Sequence, residues 1–152
     1  MRYLIDTNTF LFYIFDIGEL DDQTIEILND YENSIIISSE SIREIRTLMK
    51  DGRIDGIRKW RSYDDVKSSL EEHRIEIRYV SEAHLKMLFN LRPAPNHSDP
   101  ADLMIISQAI TEKIPLISSD NKFPLYVPQG LNFIHNRRGA AARARRMRKR
   151  VV

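Results

Sequence analysis

The sequence contains no cysteine and no apolar run of the roughly 20 residues that cross a bilayer. Without cysteine the chain forms no disulfide, holds no metal through thiolates and has no thiol nucleophile. Its first residues also lack the positively charged segment and apolar core of a secretory signal. These absences predict a soluble, cytoplasmic protein with no membrane contact.

Acidic residues are absent beyond residue 136. All 22 Asp and Glu lie in residues 1–136 with 15 of the 23 Lys and Arg, so this part carries −7 and residues 137–152 carry +8. We therefore expect one domain at 1–136, long enough to bury a core without disulfides, and a disordered Ala/Arg-rich tail at 137–152. The tail is either an RNA-binding arm, a contact for an acidic partner, or an extension from cloning or read-through.

Short apolar runs alternate with longer amphipathic stretches along the chain. This alternation is typical of an α/β domain with a mostly parallel central sheet, here of about five strands. The predicted strands lie at 2–5, 35–38, 75–80, 114–118 and 131–134. The predicted helices lie at 8–16, 22–31, 41–50, 54–72, 81–91 and 99–112.

Several acidic residues follow predicted strands. Ligands of open α/β sheets bind beyond the carboxyl ends of the strands, so acids at these positions are site candidates. Asp6 directly follows YLI, Asp120 follows PLISS, and Glu44 lies one helical turn after IIIS. Asp102 differs because it lies three residues into the helix predicted at 99–112. We expect the first three acids to lie near one edge of the sheet.

Each acid also has a structural interpretation. Ser41 and Glu44 have the spacing of a capping box, and Asp99 and Asp102 have the N-cap and N3 positions of a helix whose first residue is proline. The other two acids could cap helices or form turns. Any one of them alone is better explained by structure than by catalysis.

If these acids lie together, a functional explanation becomes better than a structural one. Two like charges about 4 Å apart repel by roughly 4 kcal/mol at an effective dielectric of about 20, so a carboxylate cluster requires protons or a cation. Oxygen donors without cysteine or a histidine pair favour Mg²⁺ or Mn²⁺ over Zn²⁺. Such ions suit phosphate-ester chemistry, and the residues therefore indicate a metal-dependent phosphoryl-transfer site.

Three segments together resemble the PIN-domain ribonucleases, and within them the VapC-type toxins of type II toxin–antitoxin systems. YLIDTNTFLF resembles the family's first strand and acid, and IIISSESIREI resembles its second segment, with the acid at Glu44. The block HSDPADLMIISQAITEKIPLISSD resembles the most recognisable segment, His-x-Asp-Pro-x-Asp followed by a helix, a strand and Ser-x-Asp. The resemblance runs from residue 2 to about 135. One departure is Leu103, where relatives usually carry Arg.

The resemblance implies a PIN-like α/β/α sandwich whose catalytic residues surround one or two Mg²⁺ or Mn²⁺ ions. The catalytic and metal-binding residues would be Asp6, Glu44, Asp102 and Asp120. It also implies hydrolysis of RNA phosphodiester bonds to a 5′-phosphate and a 3′-hydroxyl, a cognate antitoxin that inserts into the active-site groove, and a homodimer.

Several neighbours of these acids are candidates for supporting roles. The resemblance implies that Asn8 and Ser118 supply hydrogen bonds to the site. Asp99 is either an N-cap or a further supporting acid, and the N-cap is favoured. His97 either contacts the substrate or, as a loop histidine, has no functional role.

An acidic domain attracts RNA only through local basic patches. Arg43, Arg46 and Lys50 are the candidates, and an ordinary solvated helix face is an equally good explanation for them. The apolar run from Phe10 to Phe15 is explained either by core packing or by a dimer or antitoxin contact.

Two other functions stay open. The first is a catalytically inactive PIN-like domain that binds RNA or protein as a scaffold, which the unusual Leu103 allows. The second is an aspartyl-phosphate phosphatase, because Asp6-Thr7-Asn8-Thr9 resembles the Asp-x-Asp-x-Thr start of that group. Asn8 replaces the second carboxylate of that motif, and no later Asp-Asp pair follows an apolar strand, so this alternative ranks below the nuclease.

Overall fold

Five β-strands and six α-helices form in residues 1–52 and 56–139, the part of the chain that this computed structural model describes. The strands are β1 (Arg2–Ile5), β2 (Ser34–Ser38), β3 (Ile75–Arg78), β4 (Leu116–Ser118) and β5 (Phe133–His135). The α-helices are α1 (Thr7–Phe15), α2 (Asp22–Asn29), α3 (Ser39–Asp51), α4 (Tyr63–Glu72), α5 (Glu82–Asn90) and α6 (Pro100–Glu112). Short 3-10 segments lie at Ile17–Glu19, Ile57–Lys59 and Phe123–Gln129.

The strands form one sheet in the order β3-β2-β1-β4-β5, and every pairing is parallel. The predicted α/β class and the sheet of about five strands are confirmed. The chain proceeds outward from β1 to β2 and β3, and it then returns to place β4 on the other side of β1. The carboxyl ends of β1 and β4 therefore flank the point where the strand order reverses, which is where open α/β sheets bind ligands.

Both faces of the sheet are buried because successive strand residues point to opposite sides. Tyr3 and Ile5 of β1 join one core cluster, with residues of α1, α2, α3 and α4. Leu4 joins a second cluster, with residues of α6 and the 3-10 segment at Phe123–Gln129. In β2, Ile36 likewise belongs to the second cluster, whereas both of its neighbours belong to the first. The chain thus forms helical layers on both sides of one sheet.

The helices begin at short polar side chains that accept hydrogen bonds from the backbone of the first turn. This contact satisfies N–H groups that have no partner within the helix. The residues with this role, in chain order, are Asp6, Asp21, Ser38, Ser62, Ser81 and Asp99. The interpretation of Asp99 as an N-cap is confirmed.

Two local predictions were wrong. The helix predicted at 54–72 is interrupted. Gly56 has a left-handed backbone (φ 90°), and α4 starts only at a capping box formed by Ser62. Residues 54 and 55 of the predicted helix lie outside the described part. The capping box predicted at Ser41 and Glu44 does not form. β2 leads directly into α3 without a loop, so the helix is capped earlier by Ser38.

The chain beyond β5 is attached to the loop before α2. The buried side chain of Asn136 accepts the N–H of Asp21 (2.8 Å) and donates to the carbonyl of Glu19 (3.0 Å) and to Ser119 Oγ (2.7 Å). The N–H of Arg137, in the predicted tail, donates to Asp21 Oδ2 at 2.7 Å. Residues 140–152 of that tail lie outside the described residues.

Across residues 1–52 and 56–139, no helix combines the length and the apolar character needed to cross a membrane.

Candidate active site

Asp6 lies at the carboxyl end of β1 and is almost fully buried, with 6% of its surface exposed. Its Oδ1 accepts the N–H of Thr9 at 2.9 Å, and its Oδ2 accepts the hydroxyl of Ser118 at 2.6 Å. Ile5 pairs with Ile117 in the sheet, so Asp6 and Ser118 are the next residues of two adjacent strands. The register of β1 and β4 therefore brings these two side chains together.

Ser118 connects two of the predicted site acids. Its buried hydroxyl donates to Asp6 and accepts the N–H of Asp120 at 3.0 Å. Asp120 Oδ1 accepts the N–H of Lys122 at 2.8 Å, which closes a tight turn directly after β4. The Ser-x-Asp sequence thus orients both an acid on β1 and the acid that follows β4.

Glu44 reaches the site from the second turn of α3. The hydroxyl of Thr7, the first residue of α1, lies 2.6 Å from Glu44 Oε1 and 2.8 Å from Ser41 Oγ. A carboxylate can only accept, so Thr7 donates its proton to Glu44 and accepts from Ser41. α1 and α3 are thereby joined by polar contacts next to Asp6.

Asp102 projects from the first turn of α6. The N-cap Asp99 accepts the N–H groups of Ala101 (2.9 Å) and Asp102 (3.2 Å), which fixes the backbone that carries the acid. Asp102 Oδ2 lies 3.1 Å from Nε2 of His97. His97 is only 4% exposed, so it is a core residue rather than a solvated loop residue.

Burial and mutual repulsion raise the pKa values of three site acids. Burial raises the pKa of Asp6 and that of Glu44, against the hydrogen bonds that stabilise each carboxylate. Burial also raises the pKa of Asp102 to about 6, the hydrogen bond from His97 opposes this, and the charges of Asp99 and Asp120 add to it. Carboxylates that resist ionisation next to one another favour protons or a cation.

The donor set fits a hard divalent cation by its chemistry, since it consists of carboxylate oxygens that repel one another. The charges of Asp99, Asp102 and Asp6 all raise the pKa of Glu44, and Asp120 raises that of Asp6, so these acids share one electrostatic environment. Among the residues that the structure describes, no three His, Asp or Glu side chains converge closely enough to hold a metal as they stand.

Asn8, a predicted supporting residue, and Leu103, the departure from the family pattern, differ in placement. Asn8 is exposed in the first turn of α1, and within the described part of the chain its side chain makes no hydrogen bond. Leu103, where relatives carry Arg, is half-buried and packs against the second core cluster. Leu103 therefore contributes apolar packing instead of a charge.

Sequence reasoning did not identify Thr7 or Tyr126. In the sequence Thr7 is only a small polar residue after Asp6. A polar residue directly after a candidate site acid could nevertheless have been listed as a possible hydrogen-bond partner of the site. Tyr126 lies 29 residues from His97 in the chain and forms a 2.7 Å contact with Nδ1 of that imidazole. No local pattern could reveal a contact that the fold alone creates.

The predicted RNA-binding residues are exposed on α3 and line a cleft of about 520 Å³ between α3 and α4. Its lining combines apolar with basic and polar side chains, namely Ile42, Arg43, Arg46, Met49, Lys50, Trp60, Arg61, Ser62, Tyr63 and Val66. Arg43 and Arg46 also line a neighbouring depression with Glu44 and Asp99. The basic face of α3 is thus continuous with the acidic site.

Core packing accounts for the apolar run on α1. Phe10 and Leu11 are buried, and the side chains from Phe12 to Phe15 are half-buried against the first core cluster. Large exposed apolar side chains occur elsewhere, and Phe89 on α5 is the most exposed of those in the described residues, at 88%.

The parallel sheet, its reversed strand order and the acids beyond β1 and β4 define an α/β domain with an acidic site at the switch point. The family model for the PIN domain matches residues 3–126, and the chain belongs to the PIN domain family. The predicted family is confirmed. No curated protein sequence matches the chain significantly.

Solved structures with the same fold include several toxin–antitoxin proteins. VapBC2 from Rickettsia felis, bound to a promoter DNA fragment, is 23% identical with a TM-score of 0.63, covering 90% of this chain and 99% of that one. DNA-bound VapBC from Salmonella typhimurium is 17% identical with a TM-score of 0.66, covering 89% and 98%. VapBC-5 from Mycobacterium tuberculosis is 20% identical with a TM-score of 0.60, covering 90% and 98%.

Proposed function

We propose that this chain is a metal-dependent endoribonuclease and the toxin of a VapBC-type toxin–antitoxin pair. One observation carries the proposal. At the switch point of a PIN-domain sheet, burial and then the charges of neighbouring site acids raise the pKa values of Asp6, Glu44 and Asp102. Retaining one buried and three half-buried acids that repel one another costs stability, and a function would explain why the fold keeps them.

The residues that would hold Mg²⁺ or Mn²⁺ are Asp6, Glu44, Asp102 and Asp120. A divalent ion held by these oxygens would supply Lewis-acid polarisation of a phosphoryl oxygen and would activate water, which is the chemistry that hydrolysis of an RNA phosphodiester requires. The products would be a 5′-phosphate and a 3′-hydroxyl.

The chain's own side chains prepare the acids for this task. Ser118 fixes the orientation of Asp6, and Thr7 fixes that of Glu44. These hydrogen bonds favour the ionised carboxylates, whose lone pairs a cation requires. Among the described residues no three of these side chains converge as they stand, so a bound cation would draw the oriented carboxylates closer together.

RNA would approach along the basic face of α3. Arg43, Arg46 and Lys50 offset the negative charge of the domain where the α3–α4 cleft meets the acids. Arg43 is 2.9 Å from Glu40, so part of its charge is already paired in the free protein. Contacts of this kind recognise phosphate and select no sequence.

We further propose a cognate antitoxin and a homodimer as partners. Several structures that are similar to this chain are VapBC toxin–antitoxin proteins, and this similarity supports an antitoxin for this chain. Light scattering of the free protein should give the mass of two chains, and a monomer would contradict the dimer. Co-expression with the product of a neighbouring reading frame should relieve toxicity if that product is the antitoxin.

The two alternatives gain no support from the site. For the phosphatase, the place of the second carboxylate of its motif is taken by Asn8, an exposed side chain that cannot act as an acid or base. An inactive scaffold would have no need to keep four carboxylates in one electrostatic environment.

Cleavage of structured RNAs in Mg²⁺ or Mn²⁺ tests the proposal. We expect cleavage by the wild type, its loss in EDTA, and its loss in Asp6→Ala and Asp102→Asn. Glu71→Gln, which neutralises an exposed acid on α4, is the matched control and should remain active. Full activity in EDTA, or in both site variants, would refute the assignment.

A further inference from the structure

A series of hydrogen-bonded, buried polar groups leads from the protein interior to Asp102. Tyr126 is fully buried and His97 nearly so, and their ring centroids are 5.4 Å apart. The ring of Phe123 lies 6.2 Å from the imidazole. Polar atoms in such apolar surroundings need hydrogen-bond partners, so each polar proton of this series needs an acceptor.

The direction of the hydrogen bonds follows from the donors available. The N–H of Ala94 points to the hydroxyl oxygen of Tyr126 at 2.9 Å, and this oxygen lies 2.7 Å from Nδ1 of His97. If Nδ1 carried a proton, the tyrosine oxygen would receive two donors and its own buried proton would have no acceptor. An unpaired buried hydroxyl is costly. Tyr126 therefore donates to Nδ1.

This assignment fixes the imidazole as the tautomer with its proton on Nε2. Nε2 lies 3.1 Å from Asp102 Oδ2 and donates to it. Within the described residues, Asp102 Oδ1 makes no hydrogen bond. One carboxylate oxygen is thus held from the interior while the other stays available.

We propose that Tyr126 and His97 are positioning residues that anchor one oxygen of Asp102 and leave the other to bind the divalent cation. The proposal rests on the metal-dependent function proposed above. Asp102 faces the like charges of Asp99 and Asp120, which favour its rotation into solvent. The imidazole N–H opposes that rotation, and the tyrosine hydroxyl keeps the N–H on the correct nitrogen.

Variants separate this role from simple packing. Tyr126→Phe keeps the ring and removes the hydroxyl. His97→Leu removes both nitrogens, whereas His97→Gln places an amide donor near the position of Nε2. The matched control is His84→Leu, because His84 is equally buried and bonds a carboxylate, Glu112 Oε2 at 2.8 Å, away from the site acids.

The first measurement is the affinity of the full chain for Mn²⁺ alone, by electron paramagnetic resonance, without RNA. We expect His97→Leu to weaken Mn²⁺ binding by about 10- to 100-fold, the range seen when partners behind metal ligands are removed. Tyr126→Phe should weaken it about 10-fold, and His97→Gln should restore affinity to within about 3-fold of the wild type. His84→Leu should lower the melting temperature without changing Mn²⁺ affinity.

The second measurement is the ¹⁵N spectrum of the imidazoles at neutral pH. The wild type should show His97 protonated on Nε2 alone, and Tyr126→Phe should introduce the other tautomer. A proton on Nδ1 in the wild type, or unchanged Mn²⁺ affinity in folded His97→Leu, would overturn the proposal.

The outcomes also distinguish this proposal from the proposed function. If Mn²⁺ binding depends on His97 as expected but no RNA is cut, the positioning role stands and the ribonuclease assignment fails. If RNA is cut while His97→Leu binds Mn²⁺ normally, only the positioning role fails. A wild type that binds no Mn²⁺ refutes both.

Discussion

Ser118 Oγ donates a 2.6 Å hydrogen bond to Asp6 Oδ2 across the ends of two parallel strands that are 112 positions apart in the chain. The same hydroxyl accepts the N–H of Asp120. One fully buried serine therefore sets the positions of two candidate metal ligands.

Replacing Ser118 with alanine should destabilise the protein. The change leaves the buried Asp6 Oδ2 and the N–H of Asp120 without their partner, and a hydrogen bond to a charged group contributes about 1.5–3 kcal/mol. Urea unfolding in EDTA should show a loss of about this size. Ser34→Ala, at an exposed position at the start of β2, should cost much less. Equal losses in the two variants would contradict a special role for Ser118.

Neutralising Asp102 should stabilise the metal-free protein. Burial, and after it the charges of Asp99 and Asp120, raise the pKa of Asp102 to about 6. The Asp102→Asn side chain removes the buried charge and this repulsion, and it can still accept the Nε2–H of His97. We expect a gain of about 1–2 kcal/mol at pH 7 in EDTA, after allowance for solvent screening. Adding Mn²⁺ should raise the melting temperature of the wild type and leave that of the variant unchanged. A less stable variant in EDTA would argue against electrostatic strain at this site.

His84 should make stability depend on pH. Burial lowers the pKa of His84, and the charge of Arg78 lowers it further. The unfolded state therefore binds this proton at higher pH than the folded state, so stability is fully present above pH ~6.5 and falls as the pH drops through ~6.5 toward the folded pKa. Unfolding free energies at pH 7.5 and 5.5 should diverge more in the wild type than in His84→Asn. Parallel pH profiles for the two proteins would exclude this histidine as the cause.

Removing the side chain of Asn136 should weaken the attachment of the chain after β5 to the loop before α2. This buried amide forms three hydrogen bonds, to Asp21, Glu19 and Ser119. Asn136→Ala should cost about 1–3 kcal/mol in unfolding free energy, because the partners stay buried without replacements. The exposed Asn132 offers the control, and Asn132→Ala should change stability by less than about 0.5 kcal/mol.

The basic cleft should determine the salt dependence of RNA binding. The measurement uses the Asp6→Ala protein, which should not cleave RNA. In this background we combine Arg43→Gln, Arg46→Gln and Lys50→Gln in one protein. For its binding of single-stranded RNA, the logarithm of the binding constant should fall less steeply with the logarithm of the salt concentration. Each lost phosphate contact should change the slope by about 0.7. The combined Gln variants of Lys86 and Arg92, two exposed cations outside the cleft lining, are the control. The same slope in all three proteins would place the RNA elsewhere.

The local pattern of the sequence predicts the sheet well. The buried apolar triplet after Arg2 and the isoleucines at 35–37 lie in strands as predicted, because a sheet covered on both faces requires uninterrupted apolar runs. Asp6 could be placed at the sheet edge because it directly follows such a run, and Asp120 because it lies two residues after the strand at Leu116–Ser118. The break before α4 was missed because it depends on the left-handed backbone of Gly56, which an amphipathic pattern does not reveal.

The candidate site was only partly predictable for a different reason. Acid positions follow from strand ends, but the partners of the acids come from distant parts of the chain. Thr7 meets Glu44 across 37 positions, and His97 meets Tyr126 across 29. Whether a histidine in a loop is solvated or buried depends on what the fold packs over it. Here the 3-10 segment at Phe123–Gln129 packs against His97 and buries it.

The contact between Asp6 and Ser118 also has a consequence for synthesis of the protein on the ribosome. β1 and its acid are made first, but Ser118 and Asp120 emerge only after more than a hundred further residues have been translated. Contacts between such distant positions form late in folding, since the intervening chain must be ordered first. A nascent chain that has not yet released β4 therefore carries Asp6 without the serine that orients it. The group of acids can therefore be complete only after β4 and the turn that follows it have left the exit tunnel, when most of the domain has already been translated.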